Sequence, residues 1–201
     1  MTTYLRPDVF VLILFILCTP PLAAADPLEV GIFPGELVSP AMIGAALGTA
    51  SFILQQADVR VEWRLCVPPS PPPACAARRG LVIRLLSEQV VPAWPHPLGD
   101  ALLEPAGGRF ATIYVTRIVA LANAAGVDPA IVLGRVMAHE LGHLLMGRRS
   151  HSPRGVMRAL WTRADLERGR PLDWLFDPSD VVILRLRLRA MELWLAESTA
   201  L

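Results

Sequence analysis

Three of the four histidines in this chain lie in a thirteen-residue stretch that runs from His139 to His151 and also contains a glutamate. His139 and His143 are four residues apart, so on a helix their imidazoles project from one face and can hold one zinc ion. Glu140 is offset from that face, which suits a base acting on metal-activated water better than a ligand. A catalytic zinc usually has three protein ligands, and His151 is the obvious third. The pattern therefore predicts a zinc site with hydrolytic chemistry.

The segment that carries the first two histidines has helix signals at both ends. Asp128 is a good N-cap, and Pro129 suits the first helical position. Gly147 is a natural C-terminal stop, after which the chain can turn and bring His151 back. The alternative is a buried helix whose polar residues are satisfied internally, but burying two histidines and a glutamate without a metal is costly. Apolar residues between the two ends predict a largely buried helix: Ile131, Val132, Met137, Leu141, Leu144 and Leu145.

The chain before this helix predicts an α+β fold. A helix begins at Ser39 and Pro40 and ends near Gln56. The stretch from Asp58 to Cys66 alternates apolar and charged residues, which predicts a half-buried strand. Its inward residues would be Val59, Val61, Trp63 and Leu65. Further predicted elements are strands at 28–33, 80–86 and 110–115, a helix at 116–125, and a long loop at 91–108 that contains His96, interpreted as a solvated histidine.

The chain after the histidine motif is predicted to be mostly helical. Residues 162–169 suggest a short polar helix, and a longer C-terminal helix begins at a cap, either Asp177 or Ser179. The alternation of apolar residues and arginines from Leu184 to Arg189 would instead fit a strand. The helix is favoured because of its cap and its apolar stripe, which comprises Val181, Leu184, Leu188, Met191 and Leu195.

Beyond the third histidine, Met157 completes a recognisable pattern. The run from His139 to Met157 resembles the zinc site of the metzincin clan of metallopeptidases, and within it the matrixins. These share HExGH, a glycine, a Ser-His-Ser and a methionine a few residues on. The resemblance implies that Glu140 is the general base and acid, and that Met157 forms an apolar Met-turn under the metal. It also implies three zinc ligands: His139, His143 and His151.

The same resemblance implies a fold and a function. The fold would be a small mixed twisted sheet with a backing helix and an active-site helix, followed by a mostly helical C-terminal part. The function would be that of a secreted zinc endopeptidase acting on a peptide or protein substrate. The strand at Ala111–Val115 would be an edge strand that pairs with the substrate backbone, and residues 158–161 would line a specificity pocket. One domain, 26–201, would comprise an N-terminal subdomain (26–147) and a C-terminal subdomain (148–201).

The spacing of the motif differs from that of the clan. The glycine follows the second histidine by four residues instead of three, and His151 follows it by eight instead of six. Two extra residues must be accommodated near Arg148 and Arg149. A rival scheme takes the third ligand from a later helix, as in gluzincins, with Asp165, Glu167 or Glu192 as candidates. A non-catalytic, zinc-stabilised binding or structural protein is the alternative function, although an intact Glu140 favours hydrolysis.

The first 25 residues have the pattern of a secretory signal peptide. Arg6 precedes an apolar run from Phe10 to Cys18, and small residues at 23–25 provide a cleavage site before Asp26. The run is short for a membrane span, which needs about 20 residues. We therefore expect cleavage, a secreted or periplasmic location and no stable membrane anchor afterwards; an uncleaved anchor is the alternative. A net charge of +1 gives no electrostatic case for nucleic-acid binding.

Removing the signal peptide leaves two of the three cysteines, Cys66 and Cys75. An even number of cysteines in a secreted chain predicts a disulfide between them. The bond would close a loop that contains five prolines, which favour an extended backbone. Two free thiols on either side of a surface loop are the alternative.

Overall fold

The structure is a computed structural model that describes residues 27–36, 38–66, 80–87, 96–103 and 108–199, with side chains up to residue 190. The predicted signal peptide at 1–25 and the predicted disulfide partner Cys75 lie outside the described residues. Within the described ranges, no helix combines the length and the apolar character that crossing a membrane requires.

Five strands form one mixed sheet: β1 (Leu28–Phe33), β2 (Val61–Leu65), β3 (Leu81–Leu86), β4 (Gly99–Leu102) and β5 (Phe110–Tyr114). Their order across the sheet is β2-β1-β3-β5-β4. Neighbours from β2 to β5 are parallel, and β4 runs antiparallel to β5. The prediction of an α+β fold with a small mixed sheet is confirmed at this level.

The strand β4 corrects two predictions. Residues 91–108 were expected to form a loop, yet residues 99–102 within them form a strand. The strand at Ala111–Val115 was expected to lie at an edge, but β5 pairs with β3 on one side and with β4 on the other. The sequence does not predict β4, because Gly99 and Asp100 are residue types depleted in strands. The segment is a strand because it pairs with β5.

The buried face of the sheet follows the expected alternation. Ile32, Ile83 and Ala111 are register partners on neighbouring strands, and each is 3% exposed or less. On the opposite face, Leu102 pairs with Phe110, and both are 50% exposed. The face that carries Ile32, Ile83 and Ala111 therefore packs against the hydrophobic core.

One residue of the second strand was assigned to the wrong environment. Val59 is buried, and Val61 and Trp63 are partly buried as predicted. Leu65 is 48% exposed, which contradicts its predicted inward position. It is the last residue of β2, which pairs with β1 alone among the described strands. The alternating sequence pattern therefore continues beyond the part of the strand that the core covers.

The helical elements are α1 (Pro40–Gln55), α2 (Val115–Ala125), α3 (Pro129–Met146), α4 (Arg163–Arg168), a 3₁₀ turn (Pro171–Trp174) and α5 (Pro178–Thr199). Ser39 caps α1 by accepting a hydrogen bond from the Met42 backbone N–H at 3.2 Å. Small residues such as Ala46 and Ala50, both fully buried, let α1 pack closely on α3. The backing helix and the motif helix are thus present as predicted.

The last helix confirms the predicted C-terminal element and excludes the alternative strand. Asp177 is its cap, because its Oδ1 accepts a hydrogen bond from the Ser179 N–H at 3.0 Å. Leu184 is fully buried, and Val181 and Leu188 are partly buried against the core. The side chains of Met191 and Leu195 lie outside the described set.

Candidate metal centre

The helix α3 delivers the two motif histidines and the glutamate to the interior. Asp128 caps its start, with Oδ1 accepting from the Ala130 N–H at 2.8 Å. Gly147 ends it in the left-handed conformation, at a φ of 64° that L side chains rarely adopt. His139, Glu140 and His143 are 9%, 4% and 7% exposed. The predicted ends of this helix and its largely buried character are confirmed, although Ile131 is 36% exposed.

Backbone carbonyls orient the two helical imidazoles. His139 Nδ1 lies 2.8 Å from the carbonyl oxygen of Val156, and His143 Nδ1 lies 2.8 Å from that of Arg148. A carbonyl only accepts, so in both rings the proton resides on Nδ1. Both Nε2 atoms are then unprotonated, with their lone pairs available to a ligand.

The three histidines converge on one point. His143 Nε2 lies 3.0 Å from His139 Nε2 and 3.2 Å from His151 Nε2. Ligand atoms of the three residues all lie within 4.8 Å of one another, and no other such group of three occurs among the described residues. Lone pairs that face each other at this distance repel unless a cation lies between them. The cluster could therefore bind a metal ion.

The electrostatics of the site favour neutral imidazoles. Burial lowers the pKa of His139 to about 3, even though its hydrogen bond to Val156 acts in the opposite direction. Burial also lowers the pKa values of His143 and of His151, which is the most exposed of the three. Neutral imidazole is the form that binds metals, so little proton competition remains near neutral pH.

The loop after α3 returns the chain to the helix and places a methionine against it. Met157 is fully buried. A Cβ added at Gly142 would lie 2.6 Å from Met157 Sδ and 2.8 Å from Phe176 Cε1. The methionine therefore packs against the helix turn between the two histidines, and a glycine is required there.

A cleft of about 380 Å³ opens in front of the three histidines and Glu140. Residues 158–161, predicted to line a pocket, are all in its wall, and Trp161 contacts the His139 ring edge to face at 5.7 Å between centroids. His96 is exposed, as a solvated histidine would be, yet it lies in the wall of the same cleft. Its flanking segment is held by Arg117, which donates to the Pro97 carbonyl at 2.8 Å.

Glu140 faces the edge strand β4. A Cβ added at Gly99 would lie 2.8 Å from both Cγ and Cδ of Glu140, so only glycine leaves room for this side chain. Burial raises the pKa of Glu140 to about 8, and the neighbouring Asp100 carboxylate raises it further in the same direction. Neither Gly99 nor Asp100 was a predicted site residue, because the strand that carries them was not predicted.

The rival ligands have other partners. Asp165 accepts from the Thr162 N–H at 2.8 Å and from Arg158 at 2.9 Å, which makes it a helix cap and an ion-pair partner. Glu167 pairs with Arg163 one helix turn away. The side chain of Glu192 lies outside the described set. Neither of the two described carboxylates joins the histidine cluster.

Cys66 is buried at the end of β2 and is disulfide-bonded. Its predicted partner, Cys75, is outside the described residues, so the pairing itself stays a prediction.

Comparison with known proteins identifies no family: no family model matches the chain, and no curated protein matches it.

Proposed function

We propose that this chain is a secreted or periplasmic zinc-dependent endopeptidase of the metzincin type. The observation that carries the proposal is the convergence of three imidazole Nε2 atoms beside a buried glutamate, in a cleft bounded by a sheet edge. A tetrahedral zinc with Zn–N distances of about 2.0–2.1 Å separates its nitrogen ligands by roughly 3.3 Å. Two of the three observed separations, 3.0 and 3.2 Å, are close to that value, and all three lie within 4.8 Å.

Zinc is the metal that three histidines and an open fourth position suit best. When bound, it supplies a Lewis acid that lowers the pKa of water and polarises a carbonyl oxygen. The chain contributes the ligands, a nearby base, and hydrogen bonds from the Nδ1 atoms of His139 and His143 to backbone carbonyls. Such outer hydrogen bonds fix the ring orientation and raise ligand basicity.

Glu140 has the position of a general base. Its carboxylate takes a proton from the attacking water and passes it to the leaving amine. Burial raises its pKa to about 8 without a cation, and a nearby positive charge would favour the ionised form again. The carboxylate is therefore protonated in the empty site near neutral pH and available as a base when the metal is bound.

The edge strand β4 suits binding of an extended substrate. In the described part of the sheet it pairs with β5 alone, so its other edge is available to a peptide backbone. Strand addition of this kind recognises any polypeptide through its main chain, while side-chain pockets provide selectivity. Peptide is the substrate class that this arrangement fits, with the pocket wall at residues 158–161.

The test combines metal content with hydrolysis of a quenched-fluorescence peptide library by the purified, zinc-loaded chain. We expect Glu140→Gln to keep zinc and to lose about 10²- to 10⁴-fold in kcat/KM, the usual contribution of a general base. A chain that binds zinc yet hydrolyses no peptide or protein would support the non-catalytic alternative. Determining the N-terminus of the exported protein, expected at Asp26, tests the location.

A further inference from the structure

Asp180 is a fully buried carboxylate that none of the proposed chemistry uses. It lies in the first turn of α5 and is 0% exposed. A buried carboxylate is costly unless it is paired and hydrogen-bonded. Asp180 has both kinds of partner: Arg148 donates to Oδ1, and the Ser152 hydroxyl lies 2.8 and 2.7 Å from its two oxygens.

These partners lie at the two ends of the loop that carries the third histidine. Arg148 directly follows the end of α3, and Ser152 directly follows His151. Between them, Arg149 and Ser150 are exposed. One carboxylate therefore holds both ends of the segment that contains the two extra residues of the motif.

The same cluster also connects to the second histidine. The Arg148 carbonyl accepts the hydrogen bond from His143 Nδ1 at 2.8 Å, so fixing Arg148 also fixes that acceptor. The Ser152 N–H donates to the Met157 carbonyl at 2.9 Å, which joins the loop to the floor of the site. The helix that carries Asp180 is attached to α3, because Leu184 on α5 is fully buried in the core and Arg187 donates to the Met146 carbonyl at 3.3 Å.

We propose that Asp180 is the positioning residue for His151: through Arg148 and Ser152 it holds the lengthened loop so that the third imidazole meets the other two. The inference rests on the metal site of the proposed function. It explains how a spacing two residues longer than that of the resembled clan still yields a converged cluster. Without Asp180, Ser152 loses the hydroxyl contact that fixes the loop next to His151, and Arg148 loses its charge partner at the other end of the loop.

The experiment measures zinc affinity by chelator competition for the wild-type chain, Asp180→Asn and Arg148→Ala. Loss of a group that is hydrogen-bonded directly to a metal ligand typically costs 10- to 100-fold in metal affinity. The side chains of Asp180 and Arg148 act one contact further from the ligands, so we expect losses of about 10-fold for both variants. The visible spectrum of the cobalt-substituted Asp180→Asn chain should shift towards that of His151→Ala. A merely structural role for Asp180 would not move the spectrum in that direction.

A double-variant cycle identifies the route of the effect. In a His151→Ala background, Asp180→Asn should lower zinc affinity by a smaller factor than in the wild type, because the route through His151 is already removed and only the route through Arg148 and His143 remains. An equal loss in both backgrounds would overturn the proposal, as would wild-type affinity in Asp180→Asn. If Asp180→Asn fails to fold, Ser152→Ala carries the same expectation with a smaller loss.

The matched control is Arg154→Ala. Arg154 lies in the same stretch and pairs with Asp177, an ion pair whose arginine is 77% exposed. Its removal should leave zinc affinity within twofold of wild type. A wild-type chain without zinc would refute the proposed function, whereas zinc in wild type with no loss in Asp180→Asn would refute this inference alone.

Discussion

The ionisation of Glu140 predicts how the metal-free chain responds to pH. Its pKa is about 8 in the folded chain, against an ordinary value of 4.5. A pKa raised by folding contributes stability that is complete below pH 4.5 and is lost as the pH rises towards 8. The free energy of unfolding of the metal-free wild type should therefore carry a growing penalty across this window.

The magnitude follows from the shift. Each pKa unit corresponds to about 1.36 kcal/mol, so between pH 5 and pH 7 the penalty grows by about 2 to 3 kcal/mol. Glu140→Gln removes the titration but keeps the shape of the side chain. The metal-free variant should gain this amount over the metal-free wild type between the two pH values.

Urea denaturation of both chelator-treated proteins at pH 5 and pH 7 measures the difference. His139 titrates in the opposite direction: folding lowers its pKa to about 3, so its contribution is lost as the pH falls below 6.5. That contribution is common to both proteins and cancels in the comparison. A stability difference that is the same at both pH values would refute the assignment of a buried, proton-holding glutamate.

Two further predictions concern glycines in close contact with residues of the site, and a third concerns a control glycine with no such contact. Gly99→Ala should lower kcat/KM by about 10²-fold or more while zinc stays bound, because the new methyl group displaces the Glu140 carboxylate; unchanged kinetics would show that the carboxylate does not need that space. Gly142→Ala should lower the free energy of unfolding by about 1–3 kcal/mol, since its Cβ would lie 2.6 Å from Met157 Sδ. The control is Gly44→Ala, at an exposed helical position where a new Cβ has nothing within 4 Å. This substitution should raise the free energy of unfolding by about 0.5–1 kcal/mol. If Gly142→Ala and Gly44→Ala had equal effects in urea denaturation, the packing described for the site would be contradicted.

The motif helix could be predicted almost completely from the sequence, because its determinants are local. Asp128, Pro129 and Gly147 set its ends, and the four-residue spacing of His139 and His143 fixes their common face. These features depend on neighbours a few residues away. Nothing distant has to be known to place them.

The rest of the site depends on contacts between residues far apart in the chain. The strand β4 exists because β5 pairs with it, and its glycine gives no strand signal. Asp180 contacts the loop because α5 packs against α3. The sequence alone shows only an acidic residue in the first turn of a helix, which is a common feature. Leu65 was misplaced for the same reason, since an alternating pattern does not show where a sheet ends.

The central claim is that three histidines hold one zinc ion, and zinc content per chain in the wild type and His151→Ala tests it most directly. We predict one tightly bound zinc in the purified mature wild type and a large loss of affinity in the variant. Full retention of zinc in His151→Ala would direct attention to Glu192 or another ligand. A folded wild-type chain that binds no zinc would contradict the account.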